Sequence, residues 1–415
     1  MKILALTPQL PYPPMQGTSL RNFYLLRESS RRHEIALLTL LQPGDQLAER
    51  SPLHTFCRTI RTVPAPPRRS LAQRARSTLT SPLPDMGLRL ASGAFAAALR
   101  EWLACETFDL IQVEGIEMAP YGLDRRRAAA RPRLVFDDHN AEYVLQRSAF
   151  QADIRQPARW HGAFYSFIQW QKLVRYERRV LLAHDAAAAV SDTDARALHA
   201  IAPEREIVVV PNGVDTDEFA PAAAPQVAEP TLPAEAIDLV FTGKMDYGPN
   251  VDAALWFGLE ILPLIRAQLP HVRFVVVGQQ PHARLAPLAA RGDTVLTGWV
   301  PDVKPYIAKA AVYVAPLRMG GGTRLKVLQA MSMAVPIVST TLGCDGLSVQ
   351  DGREVALADS PRAFADAVVR LARDAALRRS LGANARQLAV AQYDWRRIGP
   401  RMELLYEYRK PGAEP

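Results

Sequence analysis

Short apolar runs bounded by polar, proline or glycine residues recur along the chain: Ile3 to Leu6, Ile35 to Leu40, Leu110 to Val113, Leu134 to Phe136, Ala186 to Val190 and Ile207 to Val210. Runs of this length without alternation suit strands buried on both faces, as in a parallel sheet. Between them lie stretches of helical period, Leu20 to Arg32, Leu88 to Ala104, Ala158 to Leu182 and Thr193 to Ile201. The alternation predicts a doubly wound α/β domain. The rhythm returns with strands expected near Ile237 to Phe241, Arg273 to Val277, Thr294 to Leu296, Val312 to Ala315 and Ile337 to Thr340. Pro211-Asn212-Gly213-Val214-Asp215 and the Ala/Pro-rich Ala220 to Pro233 separate the halves with a linker composition. The predicted domains are 1–212 and 213–394, both Rossmann-like. An amphipathic stretch, Trp395 to Tyr408, predicts a helix within 395–415 that packs back on the first domain or simply ends the chain.

A chain of 415 residues suits two such domains. With 48% hydrophobic and 22% charged residues, disorder, collagen and coiled coil are excluded. Cys57, Cys105 and Cys344 are far apart and form no zinc or disulfide pattern, which fits a reducing cytoplasm. The opening MKILALTPQLPYPP reads as a first strand rather than a signal peptide, and no run approaches a membrane span. The net charge of +8 lies wholly in residues 1–200, which hold 27 Lys and Arg against 19 Asp and Glu. Within them Arg58, Arg61, Arg68, Arg69, Arg74 and Arg76 follow one another with no acidic residue between. Two readings stand side by side: a solvated loop, or a patch for an anionic membrane surface or lipid phosphate, which would place the protein peripherally on the inner membrane. Nucleic acid is not expected, since no DNA- or RNA-binding pattern accompanies the charge.

Two doubly wound domains facing each other would put the carboxyl ends of both sheets around one cleft, where such sheets bind ligands. The richest candidate chemistry is Pro316-Leu317-Arg318-Met319-Gly320-Gly321-Gly322-Thr323-Arg324-Leu325-Lys326, between a predicted strand and a predicted helix. Three glycines allow close backbone approach, Thr323 suits a helix cap, and helix N–H groups suit a pyrophosphate. The segment is neither a Walker A loop nor the dinucleotide glycine fingerprint.

Gly320 to Leu328, then Ala330-Met331 and Pro336-Ile337-Val338-Ser339-Thr340, resemble retaining family 4 glycosyltransferases of GT-B fold. The likeness extends to Pro211-Asn212-Gly213-Val214-Asp215, Thr297-Gly298-Trp299-Val300-Pro301-Asp302, Asp137-Asp138-His139-Asn140-Ala141-Glu142, and Leu10-Pro11-Tyr12-Pro13-Pro14 with Gly17 and Arg21. The N-terminal and Asp-His-Asn portions look most like sugar transferases of bacterial exopolysaccharide and protein-sorting systems.

The resemblance implies a sugar transferred from a nucleotide-diphosphate sugar to a glycan or lipid-linked cell-envelope acceptor, without cofactor or metal. It implies that His139 contacts the donor sugar and supports the transition state, and that Lys244 stabilises charge on the departing diphosphate. Gly17, Gly243, Gly320, Gly321, Gly322, Thr323, Arg324 and Leu325 would hold the donor and its phosphates. Val300, Asp302 and Gln329 would meet base and ribose. Asn140 and Glu142 are read as positioning the helix after His139. Departures from the family are Asn250, where a second phosphate-binding lysine is usual, and Gly321 and Gln329 in place of a spaced glutamate pair. Asp192-Thr193-Asp194 and Asp215-Thr216-Asp217 have a metal-binding form, but are read as a helix cap and part of the hinge motif. No covalent hydrolase motif is present. Two alternatives stay open: a nucleotide-sugar 2-epimerase of the same fold, for which no carboxylate set stands out, and a catalytically silent donor-binding scaffold.

Overall fold

The computed structural model describes residues 1–14, 17–123, 132–155, 157–221, 237–320 and 324–408. By compactness the chain divides into two units. The first runs from Met1 to Pro211 and resumes at Ile398; the second is Asn212–Arg397.

The first unit contains seven parallel strands: β1 (Lys2–Thr7), β2 (Glu34–Leu41), β3 (Cys57–Pro64), β4 (Leu110–Glu114), β5 (Arg133–Asp138), β6 (Ala186–Ala189) and β7 (Ile207–Val209). Their spatial order is 3-2-1-4-5-6-7. The sequence reverses direction between β1 and β4, and ligands of doubly wound sheets bind outside the carboxyl ends at such a reversal. The apolar runs of the inner strands, such as Ile3–Leu6 and Leu134–Phe136, are fully buried as predicted, while Gln112 and Glu114 on β4 and Asp137 and Asp138 on β5 are polar residues buried among them.

β3 is a strand that the apolar pattern misses. It lies on the sheet edge, and Arg58 and Arg61 project from it at partly exposed positions. Arg74 and Arg76 lie on the helix Leu71–Thr80, which Ser70 and Gln73 start with a reciprocal capping box. The arginine series therefore runs from strand through the irregular segment 65–70, which holds Arg68 and Arg69, into helix. The predicted helix Leu88 to Ala104 is two, Asp85–Arg89 and Gly93–Cys105, because Ser92 caps the second by accepting from Phe95 N. The chain-terminal helix Trp395–Glu407 buries Ile398, Met402, Leu405 and Tyr406 on one face. Tyr406 donates to Gln112 Oε1 on β4 at 2.5 Å, and Glu403 meets His33 at 2.9 Å.

The second unit has six parallel strands, β8 (Ile237–Thr242), β9 (Val272–Val277), β10 (Thr294–Leu296), β11 (Val312–Ala315), β12 (Ile337–Ser339) and β13 (Ala356–Leu357), in the order 10-9-8-11-12-13. Its reversal falls between β8 and β11, the two strands followed by Gly243-Lys244 and by the glycine-rich segment. β13, with two residues, is too short to show any pattern. The linker from residue 222 to 236 lies outside the described residues.

Candidate functional site

In the first unit the functional side chains come from three elements at or next to the strand reversal and from the loop after one of them. Glu114 ends β4, Asp137 and Asp138 end β5, His139 follows, and the helix Gly17–Ser29 after β1 supplies Arg21 and Asn22. Arg21, Asn22, Glu114, Asp137 and Asp138 are all essentially inaccessible to solvent. Arg21 donates twice to Asp137, from Nε at 2.7 Å and Nη2 at 2.6 Å, and from Nη1 to the Pro211 carbonyl at 3.3 Å. Burial raises the Asp137 carboxyl, but the Arg21 charge and hydrogen bonds more than offset it and hold the group below the ordinary carboxylate range.

Glu114 accepts from Gln112, and from Asn22 at 2.8 Å in the amide orientation that satisfies both partners. It meets His139 Nε2 at 3.1 Å, which orients the ring and turns Nδ1 toward Gly115. Burial raises the Glu114 carboxyl, and the Asp137 charge adds to this while His139 opposes it. Gly115 makes room beside the ring. Its φ of +81° favours glycine, and a Cβ there would stand 3.4 Å from His139 Nδ1 and 3.2 Å from Glu117. His139 opens onto a cavity of about 360 Å³ lined also by Thr18, Gln42, Arg89, Glu117 and Glu142.

Behind the cavity lies a second acidic group that no linear motif displays. Glu177, from the long helix Trp160–Ala183, accepts the backbone N–H groups of Glu142 and Tyr143 at 2.7 and 3.1 Å, and Asp194 accepts that of Ala141 at 3.1 Å. They cap the helix Glu142–Asp153. This corrects the expected division of labour: Asn140 donates to Glu142 at 3.2 Å, but the cap itself comes from Glu177 and Asp194, whose longer reach from neighbouring helices brings an oxygen to the first-turn N–H groups. Likewise Ser191, rather than an aspartate, caps the helix Asp192–Ile201 by accepting from Asp194 N at 3.1 Å. Asp138 is buried, and among the described residues neither of its oxygens has a hydrogen-bond partner. Burial, reinforced by the charges of Glu177, Glu142 and Asp194, raises its carboxyl well above the usual range.

Glu114, Asp137 and His139 each offer a ligand atom within 4.8 Å of the others, a spacing that suits an ion. Their oxygens are already engaged by Arg21, Gln112, Asn22 and His139, so an ion would have to displace an existing buried network.

In the second unit, Gly243 and Lys244 follow β8. Lys244 is half exposed and pairs with Asp246 at 3.2 Å. Asn250 donates to the Lys244 carbonyl at 2.9 Å and accepts from Lys326 Nζ at 2.6 Å. Gly320 (φ +99°) stands after β11; Gly321, Gly322 and Thr323 lie outside the described residues. Arg324 is buried, and its guanidinium donates to the carbonyls of Gly320 at 2.7 Å and Leu342 at 3.2 Å, bracing the loop. Leu325 and the half-buried Gln329 lie on the helix Leu325–Ser332, and Leu325 packs on the core. Val300 packs against the same core, and Asp302 accepts from Lys304 N at 2.9 Å at the start of the next helix. Gly17 is the exposed first residue of its helix.

A model described as Glycosyltransferase Family 4 matches residues 16–218, and one described as Glycosyl transferases group 1 matches 236–374. The chain belongs to glycosyltransferase family 4. A phosphatidyl-myo-inositol mannosyltransferase of Mycobacterium leprae is 26% identical over 325 residues, 76% of this chain and 78% of that protein. The corresponding Mycobacterium tuberculosis protein is 29% identical over 212 residues, 49% of this chain and 54% of its own. Among solved structures, sucrose-phosphate synthase of Thermosynechococcus elongatus superposes with a TM-score of 0.70 at 19% identity, over 98% of both chains. An Anabaena protein, HepE, in complex with UDP and glucose gives 0.63 at 16% identity, over 98% of this chain and 100% of its own. These likenesses place the glycosyltransferase in the GT-B fold, with a parallel sheet of the expected kind in each unit. Sequence reasoning missed Glu114, Glu177 and Asn22. Each is an ordinary residue at a strand or helix position and gains its role from what the fold sets beside it.

Proposed function

We propose that this glycosyltransferase moves a sugar, with retention of anomeric configuration, from a nucleotide-diphosphate sugar to a glycan or lipid-linked acceptor of the cell envelope. The observation that carries this reading is His139 at the cavity mouth, held through one nitrogen by buried Glu114 and presenting the other beside Gly115. A ring held in one orientation is suited to hydrogen-bond a donor-sugar hydroxyl and to sit where charge develops at the sugar as the diphosphate leaves. Lys244 and the backbone of Gly243 and Gly320 would meet the diphosphate. Transfer needs no metal in this reading, because Lys244 and loop N–H groups neutralise the leaving group.

His139→Ala should leave the melting temperature close to that of wild type and lower transfer by about a hundredfold or more, the scale of a lost transition-state contact. Near-normal turnover by the folded variant would remove His139 from the reaction.

One observation favours a second reading. The cavity carries carboxylates of raised affinity for protons, Asp138 and Glu142, as an epimerase acting at the sugar ring would require. Conversion of a nucleotide sugar to its epimer, without release of diphosphate nucleotide, would establish it.

The acceptor side is proposed to work at an anionic membrane surface. Two relatives are named for phosphatidyl-myo-inositol. Exposed Leu71 and Leu79 lie on the helix that carries Arg74 and Arg76, and exposed Trp160, Phe164 and Phe167 follow helical spacing on the helix packed against it. Among the described residues no helix is long and apolar enough to cross a membrane.

A further inference from the structure

Lys326 is a cation held by an aromatic face and an amide oxygen, with no counter-charge beside it among the described residues. It stands in the first turn of the helix Leu325–Ser332, where the helix dipole disfavours a positive group. Its ammonium is packed 4.4 Å over the Phe241 ring and donates to a neutral amide, Asn250 Oδ1, at 2.6 Å. No carboxylate pairs with it among the described residues. Burial and the neighbouring Arg324 charge lower the Lys326 ammonium to about 7. Charged groups on the surrounding elements are committed elsewhere: Arg324 to the carbonyls of Gly320 and Leu342, Lys244 to Asp246, and Arg318 to Asp252 at 2.9 Å.

The place it occupies is the strand reversal of this unit. A Cβ on Gly243 would lie 2.7 Å from both Lys326 Nζ and Asn250 Nδ2, so the glycine, the amide and the ammonium converge at the carboxyl end of β8. An ammonium without a counter-charge at the ligand-binding edge of a doubly wound sheet is an arrangement that a bound anion completes. Asn250 stands six residues after Lys244, so the loop's own second position offers no charge, and the ammonium reaches the same spot from the other side of the reversal.

We propose that Lys326 pairs with the diphosphate of the nucleotide donor, giving the site its second cation beside Lys244. The proposal rests on the reading that the loops after β8 and β11 hold the donor. Asn250 acts as a positioning residue, fixing the ammonium by accepting one of its hydrogens and anchoring the loop through the Lys244 carbonyl.

Calorimetric titration of the full chain with UDP and GDP, beside uridine and guanosine, tests it. Lys326→Met keeps the length of the side chain and removes an uncompensated charge, so folding should be preserved. It should weaken the diphosphate that wild type prefers by about tenfold or more and leave the matching nucleoside unchanged. At pH 8 wild type should take up a proton on binding, because pairing with the anion restores the ammonium, and the heat should vary with the ionisation enthalpy of the buffer. Lys326→Met should lose that variation, and Asn250→Lys in the same chain should restore affinity. Equal loss of nucleoside and diphosphate affinity, or no loss of either while Lys244→Met weakens the diphosphate, would overturn the role of Lys326 and leave the donor site standing. Failure of wild type to bind any of the four would overturn both.

Discussion

Asp138 shows most plainly how a single residue at this site departs from ordinary behaviour. Its carboxyl is buried, lacks a hydrogen-bond partner among the described residues and shares its surroundings with Glu177, Glu142 and Asp194. Its folded pKa is raised above the unfolded value near 4. The folded state therefore holds the proton more tightly, and stability is fully present below about pH 4 and lost as pH rises toward the folded pKa. Asp138→Asn keeps the shape and removes the ionisation. It should raise the melting temperature at pH 8 by about 2 °C or more, the response to ~1 kcal/mol in a domain of this size, and change it little at pH 4. A shift that is the same at both pH values would mean that Asp138 is not protonated in the fold. The sequence shows Asp137-Asp138-His139 as a motif, and the resemblance identifies His139. It does not show that Asp137 is committed to Arg21 while Asp138 has no partner among the described residues, because the distinction depends on which way each side chain points from the end of β5.

At the scale of elements, the helix Gly17–Ser29 is fixed to β5 by the Arg21–Asp137 pair, with both groups buried. Such a pair contributes little beyond what an apolar pair would, but breaking it leaves one charge unpaired in the interior. Arg21→Met should therefore destabilise the protein by about 3–5 kcal/mol, and Arg21→Met with Asp137→Leu should recover most of the loss in chemical denaturation. Additive losses would show that the two residues act independently. Buried strands were legible because a parallel sheet covers apolar runs on both faces, and Val312–Ala315 agrees residue for residue; the short edge strand Thr294–Leu296 also agrees, although Val295 and Leu296 are only partly buried. β3 was hidden because an edge strand tolerates polar side chains, and its Arg58 and Arg61 read as charge before they read as strand. Arg58 meets Glu34 on β2, and Arg61 lies 4.4 Å over the Trp102 ring. The same arginines that suggest a free basic patch are thus partly engaged. Arg69 and Arg74 likewise share Asp85, at 2.8 and 3.1 Å. Sequence neighbours carry no acid, and the fold supplies one from elsewhere.

At the scale of the whole molecule, the excess positive charge and the exposed Leu71, Leu79, Trp160, Phe164 and Phe167 belong to the first unit. If that face meets an anionic membrane, replacing Leu79, Trp160 and Phe164 with Ser should weaken binding to vesicles containing anionic lipid. Replacing Arg68 and Arg76 should reduce its dependence on salt, since exposed charges are screened over about 10 Å at moderate ionic strength. Unchanged vesicle binding by both variants would restore the reading of a solvated surface. The central claim is retaining transfer from a nucleotide-diphosphate sugar, and it is tested most directly without knowing the acceptor. With water in place of the acceptor, the bond between the sugar C1 and the diphosphate breaks, and water oxygen takes that position on C1. Proton NMR of wild type incubated with a panel of α-linked UDP- and GDP-sugars should show slow release of UDP or GDP, with the α-anomer of the free sugar appearing first. First appearance of the β-anomer, conversion to an epimer with the diphosphate still attached, or no turnover of any donor would contradict the account.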